Sequence, residues 1–107
     1  MSISTRIRKI REFSGLKQGD LAKALHTTQQ AYSDLEIGAD HARIETLRGV
    51  CNVLKIQLSF LIAEDIPVSE KNIKEYGRKK FWETISKYEQ AEIRLRVYDE
   101  LLHKAEG

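Results

Sequence analysis

Features that would place this chain in a specialised class are scarce. Its 107 residues include one cysteine, Cys51, and one proline. A lone cysteine cannot form a disulfide within the chain, and no apolar run approaches the roughly 20 residues that a membrane span requires. One proline and six glycines also argue against long disordered stretches, and residues 1–11 lack the pattern of a signal peptide. We therefore expect a folded, cytoplasmic protein with no part in the membrane.

The charge of the chain gives only a weak indication of its partner. The net charge is +2, and it is unevenly placed. Residues 1–62 carry 9 basic and 6 acidic groups (+3), whereas residues 63–107 carry 9 and 10 (−1). Domains that bind nucleic acids usually have a much stronger basic bias. Charge alone therefore leaves the partner open.

The spacing of apolar residues predicts an all-α chain whose first 63 residues form one domain. Apolar positions three and four residues apart predict five short helices, over residues 3–13, 18–25, 28–37, 44–55 and 58–62. Ser4 and Thr28 are predicted N-caps, Gly15 is a predicted stop, and Gly38 is expected to end the third helix in the left-handed conformation. The residues expected to point into the core include Phe13, Ala31, Tyr32, Leu35 and Ile44.

A break in the pattern near Pro67 predicts a short linker over residues 64–68, followed by a helical segment over residues 69–107. Ser69 is the predicted N-cap of the new helix, with Val68 and Ile73 at the positions of a hydrophobic staple. Further along, apolar residues recur at an average spacing of about 3.5, which is typical of a helix that packs along another helix. These residues are Phe81, Ile85, Tyr88, Ala91, Leu95, Tyr98, Leu102 and Ala105.

Two interpretations of this C-terminal stripe are open. The segment can fold back over its own domain, or it can meet its counterpart in a second chain. A second stripe of Ile93, Val97 and Leu101 widens the apolar face near the end, and large exposed apolar patches usually mark interfaces. We therefore favour a homodimer, with Trp82 near the interface.

The second and third predicted helices form a pair that can present side chains to the major groove of DNA. They are separated by about three residues, and the later helix carries small polar residues opposite its apolar face. Counted from Thr28, the outward positions of its first turns are Gln29, Gln30 and Ser33. Because a glutamine side chain can hydrogen-bond both N6 and N7 of adenine, two adjacent glutamines predict a half-site that contains adenine.

Two stretches of sequence, residues 15–22 (GLKQGDLA) and residues 27–36 (TTQQAYSDLE), followed by Gly38, resemble the Cro/C1-type (XRE) helix-turn-helix family. The resemblance covers about residues 4–62. It implies a five-helix, lambda-repressor-like DNA-binding domain, here with a C-terminal helical extension, and double-stranded DNA as the partner.

The resemblance also implies a role for individual residues. Thr28, Gln29, Gln30 and Ser33 would face the groove, with Asp34 at its edge. Gln18, at the start of the second helix, would hydrogen-bond a phosphate. The resemblance further implies that Arg11 pairs with Glu36 and ties the first helix to the third.

Some positions depart from the family pattern. Lys17 replaces the hydroxyl residue that usually caps the second helix, which places a cation near a phosphate. His26 stands where glycine is common, and histidine is enriched among residues that enter the left-handed region. Ala39 and Asp40 stand where basic residues often contact the DNA backbone. The remaining candidates for phosphate contact in that loop are His41 and Arg43.

Other signals in the sequence indicate no catalytic or metal chemistry. Cys51 lies among apolar residues of one helix face, which favours an inert buried thiol. The histidines are far apart in the sequence, and no zinc or phosphate-loop spacing is present. Ser14 and Lys17 match the SxxK spacing of serine hydrolases, but the companion motifs are missing. We expect neither an enzyme nor a bound cofactor or metal.

The sequence thus predicts a homodimeric transcriptional repressor whose recognition helix, residues 28–37, reads an inverted-repeat operator. The alternative is an antitoxin or another interaction module whose C-terminal helices bind a partner protein, with DNA binding secondary or lost. The weak basic bias and Asp40 favour this alternative. The expected loss of sequence preference on replacing Gln29 or Gln30 distinguishes the two.

Overall fold

The computed structural model describes residues 1–84, and these residues form an all-helical fold without strands. The first five α-helices are α1 (Ile3–Phe13), α2 (Gln18–Ala24), α3 (Gln29–Ile37), α4 (Ile44–Leu54) and α5 (Leu58–Ile62). A 3-10 turn, Ala39–His41, connects α3 to α4. A last continuous helix, α6, consists of Glu70–Asn72, the π-helical segment Ile73–Arg78 and Lys79–Thr84. The predicted all-α class and its five short helices are confirmed.

Side chains cap three of the helices at their first residues. The Thr28 hydroxyl accepts a hydrogen bond from the N–H of Ala31 at 3.1 Å, and the Ser69 hydroxyl accepts one from Asn72 at 3.1 Å, as predicted. The prediction for α1 is wrong by two residues. Ser2, rather than Ser4, accepts the N–H of Thr5 at 3.1 Å, because the helix has already begun at Ile3.

Left-handed backbone occurs at three of the described residues, Gly15 (φ 72°), His26 (φ 56°) and Lys55 (φ 57°). The first two lie at the ends of α1 and α2, where the sequence predicts chain reversal. The expectation for Gly38 is wrong, because its φ is −91°. The chain continues there into the right-handed 3-10 turn, which buries Ala39 in the core.

The core lies between the first five helices, and its largest members include Ile7, Ile10, Leu21, Tyr32, Val50, Leu54, Ile56, Phe60 and Leu61. Three residues predicted to point inward are exposed instead. Phe13 is 48% exposed, Ile44 is 54% exposed and Ala31 is also exposed. Each of them lies in a terminal turn of its helix, where no neighbouring helix covers the side chain.

Helix α6 packs against the five-helix domain of its own chain. Ile73 is 2% exposed and belongs to the common core, and Val68 packs against the same core. Gln57, at the start of α5, donates its backbone N–H to the Gly77 carbonyl at 3.1 Å and its side-chain amide to the Tyr76 carbonyl. Both carbonyls lie in the π-helical segment. For residues 70–84 the structure therefore shows the folded-back arrangement.

Phe81, predicted to lie in a dimer interface, is 3% exposed within the single chain, so it offers little surface to a second one. The neighbouring Trp82 is half-buried, with its ring 5.3 Å from that of Phe81 in an edge-to-face arrangement. The other predicted interface residues, Ile85, Tyr88, Leu95, Tyr98 and Leu102, lie outside the described residues.

Gly77 allows α6 to approach α5 closely. A β-carbon at this position would lie 3.0 Å from Phe60 Cδ1 and 3.2 Å from Ile56 Cγ2. Contacts this short require the helix or the aromatic ring to move. Gly49 in α4 differs, because a β-carbon there would lie 3.6 Å from Leu25 Cδ2, which is an ordinary van der Waals distance.

Replacement of Gly77 by alanine should therefore lower the free energy of unfolding by about 1–3 kcal/mol, the usual cost of overpacking a core. The matched Gly49→Ala variant should be neutral or more stable by about 0.5–1 kcal/mol, because alanine favours a helix and fits without a clash. Urea denaturation of both variants measures the difference. A Gly77→Ala protein as stable as Gly49→Ala would contradict the close packing of α6.

Candidate nucleic-acid interface

Helices α2 and α3 are joined by a tight turn that fixes their relative position. Leu25 ends α2, and His26 follows in the left-handed conformation. The N–H of Thr27 donates to the Ala22 carbonyl at 2.9 Å, and Thr28 then caps α3. Leu21 and Ala22 of α2 are buried, as is Tyr32 of α3. The two helices are thus held through a shared core.

The first two turns of α3 present a polar face to solvent. The structure places Thr28, Gln29, Gln30 and Asp34 at exposed positions, with Ser33 half-buried beside them. All five predicted base-contact residues therefore lie along one helix. Gln29 also borders α2, since its Oε1 atom lies 3.6 Å from the point where a β-carbon on Gly19 would be.

Asp34 holds the side chain of Gln30 in a defined orientation. The amide nitrogen of Gln30 donates to Asp34 Oδ1 at 3.1 Å, one helical turn away. A carboxylate only accepts hydrogen bonds, so the amide must direct its NH₂ group toward it. One amide hydrogen and the amide oxygen of Gln30 remain for another partner. These are the donor and acceptor that adenine requires in the major groove.

The predicted phosphate-contact residues lie in two places. Lys17 is exposed and Gln18 half-buried at the start of α2, while His41 and Arg43 are exposed in the connection before α4. The start of α2 lacks a hydroxyl cap, but the Asp20 carboxylate accepts the N–H of Lys17 at 2.8 Å. That contact satisfies the N–H of Lys17, whereas a hydroxyl cap would accept an N–H from the first turn of the helix.

Asp40, which departs from the family pattern, has a structural partner. Its Oδ1 atom accepts the N–H of Ile3 at 2.8 Å, at the beginning of α1. A carboxylate is favourable at this end of a helix because the N-terminal N–H groups carry partial positive charge. The acidic residue therefore serves the fold of α1.

A family model described as helix-turn-helix matches residues 7–61, just over half of the chain. This chain belongs to the Cro/C1-type (XRE) helix-turn-helix family. The resemblance seen in the sequence is thereby confirmed, and the protein is a DNA-binding regulator of the XRE type. Searches of curated proteins and of solved structures give no match. Within residues 1–84, no helix is long and apolar enough to cross a membrane.

Beneath the recognition helix of this XRE-type regulator lies a buried ion pair. Arg11 Nε and Nη2 donate to the two carboxylate oxygens of Glu36 at 3.0 and 3.1 Å, and Arg11 Nη1 donates to the Leu16 carbonyl at 3.1 Å. Burial lowers the pKa of Arg11, but the hydrogen bond and attraction to Glu36, together with smaller contributions from neighbouring residues, raise it overall. The pair joins the last turn of α1 to the last turn of α3.

Tyr32 lies next to this pair. Within the described residues its buried hydroxyl makes no hydrogen bond, although Glu36 lies close enough to contribute to its pKa. Burial and the neighbouring carboxylate both raise the pKa of Tyr32, so the phenol stays neutral. Its aromatic ring therefore acts as core, as its spacing in the sequence predicts.

Arg6 is a buried cation that the sequence analysis did not single out. It is 1% exposed, and its guanidinium donates to the carbonyls of Leu61, Ile66 and Phe60 at 2.8, 2.7 and 2.6 Å. It also lies over the Phe60 ring, 5.2 Å from the centroid. Burial lowers its pKa, and Asp65 partly offsets this. The sequence does contain an indication that Arg6 is buried, because position 6 falls on the same helix face as Ile10.

Cys51 does not have the properties of a reactive thiol. It is buried in the core, and burial raises its pKa to about 12 in spite of the nearby Arg48. A thiol with this pKa is protonated at neutral pH, and the thiolate is the nucleophilic form. No group of three potential metal ligands (His, Cys, Asp or Glu) occurs within residues 1–84.

Proposed function

We propose that this regulator is a repressor that binds an inverted-repeat operator as a homodimer, with α3 in the major groove of each half-site. The observation that carries the proposal is the polar face of α3, where Gln29 and Gln30 are exposed above a buried Tyr32. The N-terminal residues of a recognition helix are those that contact base edges. Repression then follows from occupation of a promoter, without a chemical step.

Gln30 is prepared to read adenine. Asp34 takes one amide hydrogen, so the other hydrogen can be donated to adenine N7 while the amide oxygen accepts from N6. In this arrangement the Asp34 carboxylate, the Gln30 amide and the edge of adenine all form hydrogen bonds at the same time. Asp34 therefore acts as a positioning residue for Gln30, and Gln29 reads a neighbouring base from its place beside α2.

The homodimer is the part of the proposal that explains the inverted repeat and the affinity for it. One short recognition helix reads few bases, whereas a dimer places two such helices on half-sites whose centres are about 34–36 Å apart. The apolar spacing in the sequence from Ile85 onward supports a pairing helix. Linking two modules in this way raises the overall affinity without any new base contact.

Replacement of Gln29 or Gln30 by alanine should remove the preference at the base that the residue reads, and so lower the overall sequence preference, while leaving the fold intact. Each glutamine should contribute about 1–3 kcal/mol of discrimination, equivalent to about 5- to 150-fold in relative affinity. The measurement is fluorescence anisotropy with a duplex enriched by selection and a scrambled duplex of the same length. The preference is the ratio of the two dissociation constants.

Gln18→Ala is the matched control, because it removes a glutamine that is expected to contact a phosphate. Phosphate contacts carry no direct sequence information, so this variant should bind both duplexes more weakly and keep the preference. Thermal unfolding of all three variants checks that each is folded. If the wild type binds the enriched and scrambled duplexes equally, the proposed function is wrong and the interaction-module alternative is favoured.

A further inference from the structure

We propose that α6 forms a second contact with the DNA backbone, in which Arg78, in the middle of the helix, binds a phosphate next to the half-site read by α3. This inference rests on the proposed function, because it requires α3 to lie in the major groove. It assigns a DNA-binding role to a helix outside the five-helix domain matched by the family.

Arg78 is fixed at the turn between α1 and α2. Its Nη2 atom donates to the Ser14 hydroxyl at 2.7 Å, and that hydroxyl in turn donates to the Ile10 carbonyl at 2.7 Å. Ser14 is the C-cap residue of α1, and the chain reverses immediately after it at Gly15. The guanidinium is therefore anchored to a rigid part of the domain.

This turn borders the surface that would read DNA. Ser14 and Gly19 are five positions apart in the sequence, so their α-carbons are at most about 18 Å apart. Gly19 in turn lies against the Gln29 side chain. Lys17 and Gln18, the predicted phosphate-contact residues at the start of α2, lie within the same stretch.

The charges of α6 and the segment before it are segregated along the chain. Residues 64–75 carry four acidic and two basic side chains, whereas residues 76–84 carry three basic and one acidic. Arg78, which contacts the α1–α2 turn, belongs to the basic part. Lys80 pairs with Glu83 at 3.3 Å on the surface, but within residues 1–84 no carboxylate forms an ion pair with Arg78.

A guanidinium that is held in place but forms no ion pair within residues 1–84 is suited to bind a phosphate. Arginine presents several N–H donors in one plane and binds phosphate oxygens in pairs, and the hydrogen bond to Ser14 uses only part of this capacity. A phosphate contact from Arg78 would also compensate for a backbone contact that this domain lacks at Asp40. Asp40, where related domains often have a basic residue, is occupied with the N–H of Ile3.

The test is the salt dependence of binding by the full chain, measured by fluorescence anisotropy on a duplex of scrambled sequence. Each neutralised phosphate contributes about 0.9 to the slope of log K against log salt concentration. Arg78→Gln should therefore reduce the slope by about 1. Arg78→Lys should retain most of the slope, because it keeps the cation even though it alters the hydrogen bond to Ser14.

Lys71→Gln is the matched control, since it makes the same change of charge at the N-terminal end of α6 and should leave the slope unchanged. An unchanged slope for Arg78→Gln, with a thermal midpoint equal to that of the wild type, would overturn the inference. An equal reduction of the slope in Lys71→Gln would also overturn the inference, since general electrostatic attraction would then explain the effect of Arg78→Gln. Equal binding of enriched and scrambled duplexes would instead contradict the proposed function and leave the slope measurable.

Discussion

Replacement of Glu36 by leucine should lower the free energy of unfolding by about 3–5 kcal/mol, as expected when one partner of a buried ion pair is removed. The cost arises because Arg11 would keep its charge in a site where no carboxylate compensates for it. Arg11→Met should have an effect of similar size. Urea denaturation monitored by circular dichroism measures both, and the loss should appear without any change at the exposed face of α3.

The double variant Arg11→Met, Glu36→Leu should be more stable than the sum of the single changes predicts, because apolar pairs of similar volume often replace buried ion pairs at little cost. Tyr32→Phe provides a local control. It removes a buried hydroxyl that has no hydrogen-bond partner within residues 1–84, so it should be neutral or slightly stabilising. Additive losses in the double variant would show that the two side chains are not coupled.

Replacement of Arg6 by methionine should cost about 3–6 kcal/mol, because it removes the charge-assisted hydrogen bonds to the buried carbonyls of Phe60 and Leu61, each worth about 1.5–3 kcal/mol. Arg6→Lys should be intermediate, since a single ammonium group cannot reproduce the planar set of donors. Differential scanning calorimetry or urea denaturation measures the effect.

Arg8→Met is the control for Arg6. Arg8 lies on the exposed side of the same helix, and surface substitutions of this kind usually change stability by less than about 0.5 kcal/mol. An Arg6→Met protein as stable as Arg8→Met would show that the buried guanidinium does not hold the end of α5 and the segment after it. Because Ile66 also accepts from Arg6, loss of this residue should loosen the approach to α6 as well.

Local patterns in the sequence were sufficient to predict most of the helices of the domain. Apolar spacing located α1 to α5, and the hydroxyl of Thr28 marks the beginning of the recognition helix because it satisfies the N–H of Ala31. The left-handed turn at His26 followed from comparison with the family pattern. These features depend on residues close together in the chain, which is why periodicity and capping rules can find them.

The features that the sequence did not predict depend on distant contacts. The inner face of α6 includes Ile73, Gly77 and Phe81, and a search for apolar residues alone overlooks the glycine that makes close packing possible. Arg6 is satisfied by carbonyls about 55 to 60 residues away, which no local pattern reveals. Gly38 was expected to be left-handed, but burial of Ala39 directs the chain into a right-handed turn.

Together, the buried contacts of α1 connect it to the recognition helix α3 and to the segment that precedes α6. Arg11 fixes the end of α3 through Glu36, while Arg6 fixes the end of α5, from which the chain leads to α6. In the proposed dimer, the two half-sites should therefore have a defined rather than a variable spacing.

Selection of bound duplexes from a random library by the full chain tests the central claim most directly, because it requires no knowledge of the operator. We predict enrichment of an inverted repeat with half-site centres about 34–36 Å apart, one helical turn of DNA. Each half-site should contain adenine at a position that Gln30→Ala no longer enriches. Recovery of no common sequence, or of one that Gln29→Ala and Gln30→Ala enrich equally well, would contradict base reading by α3.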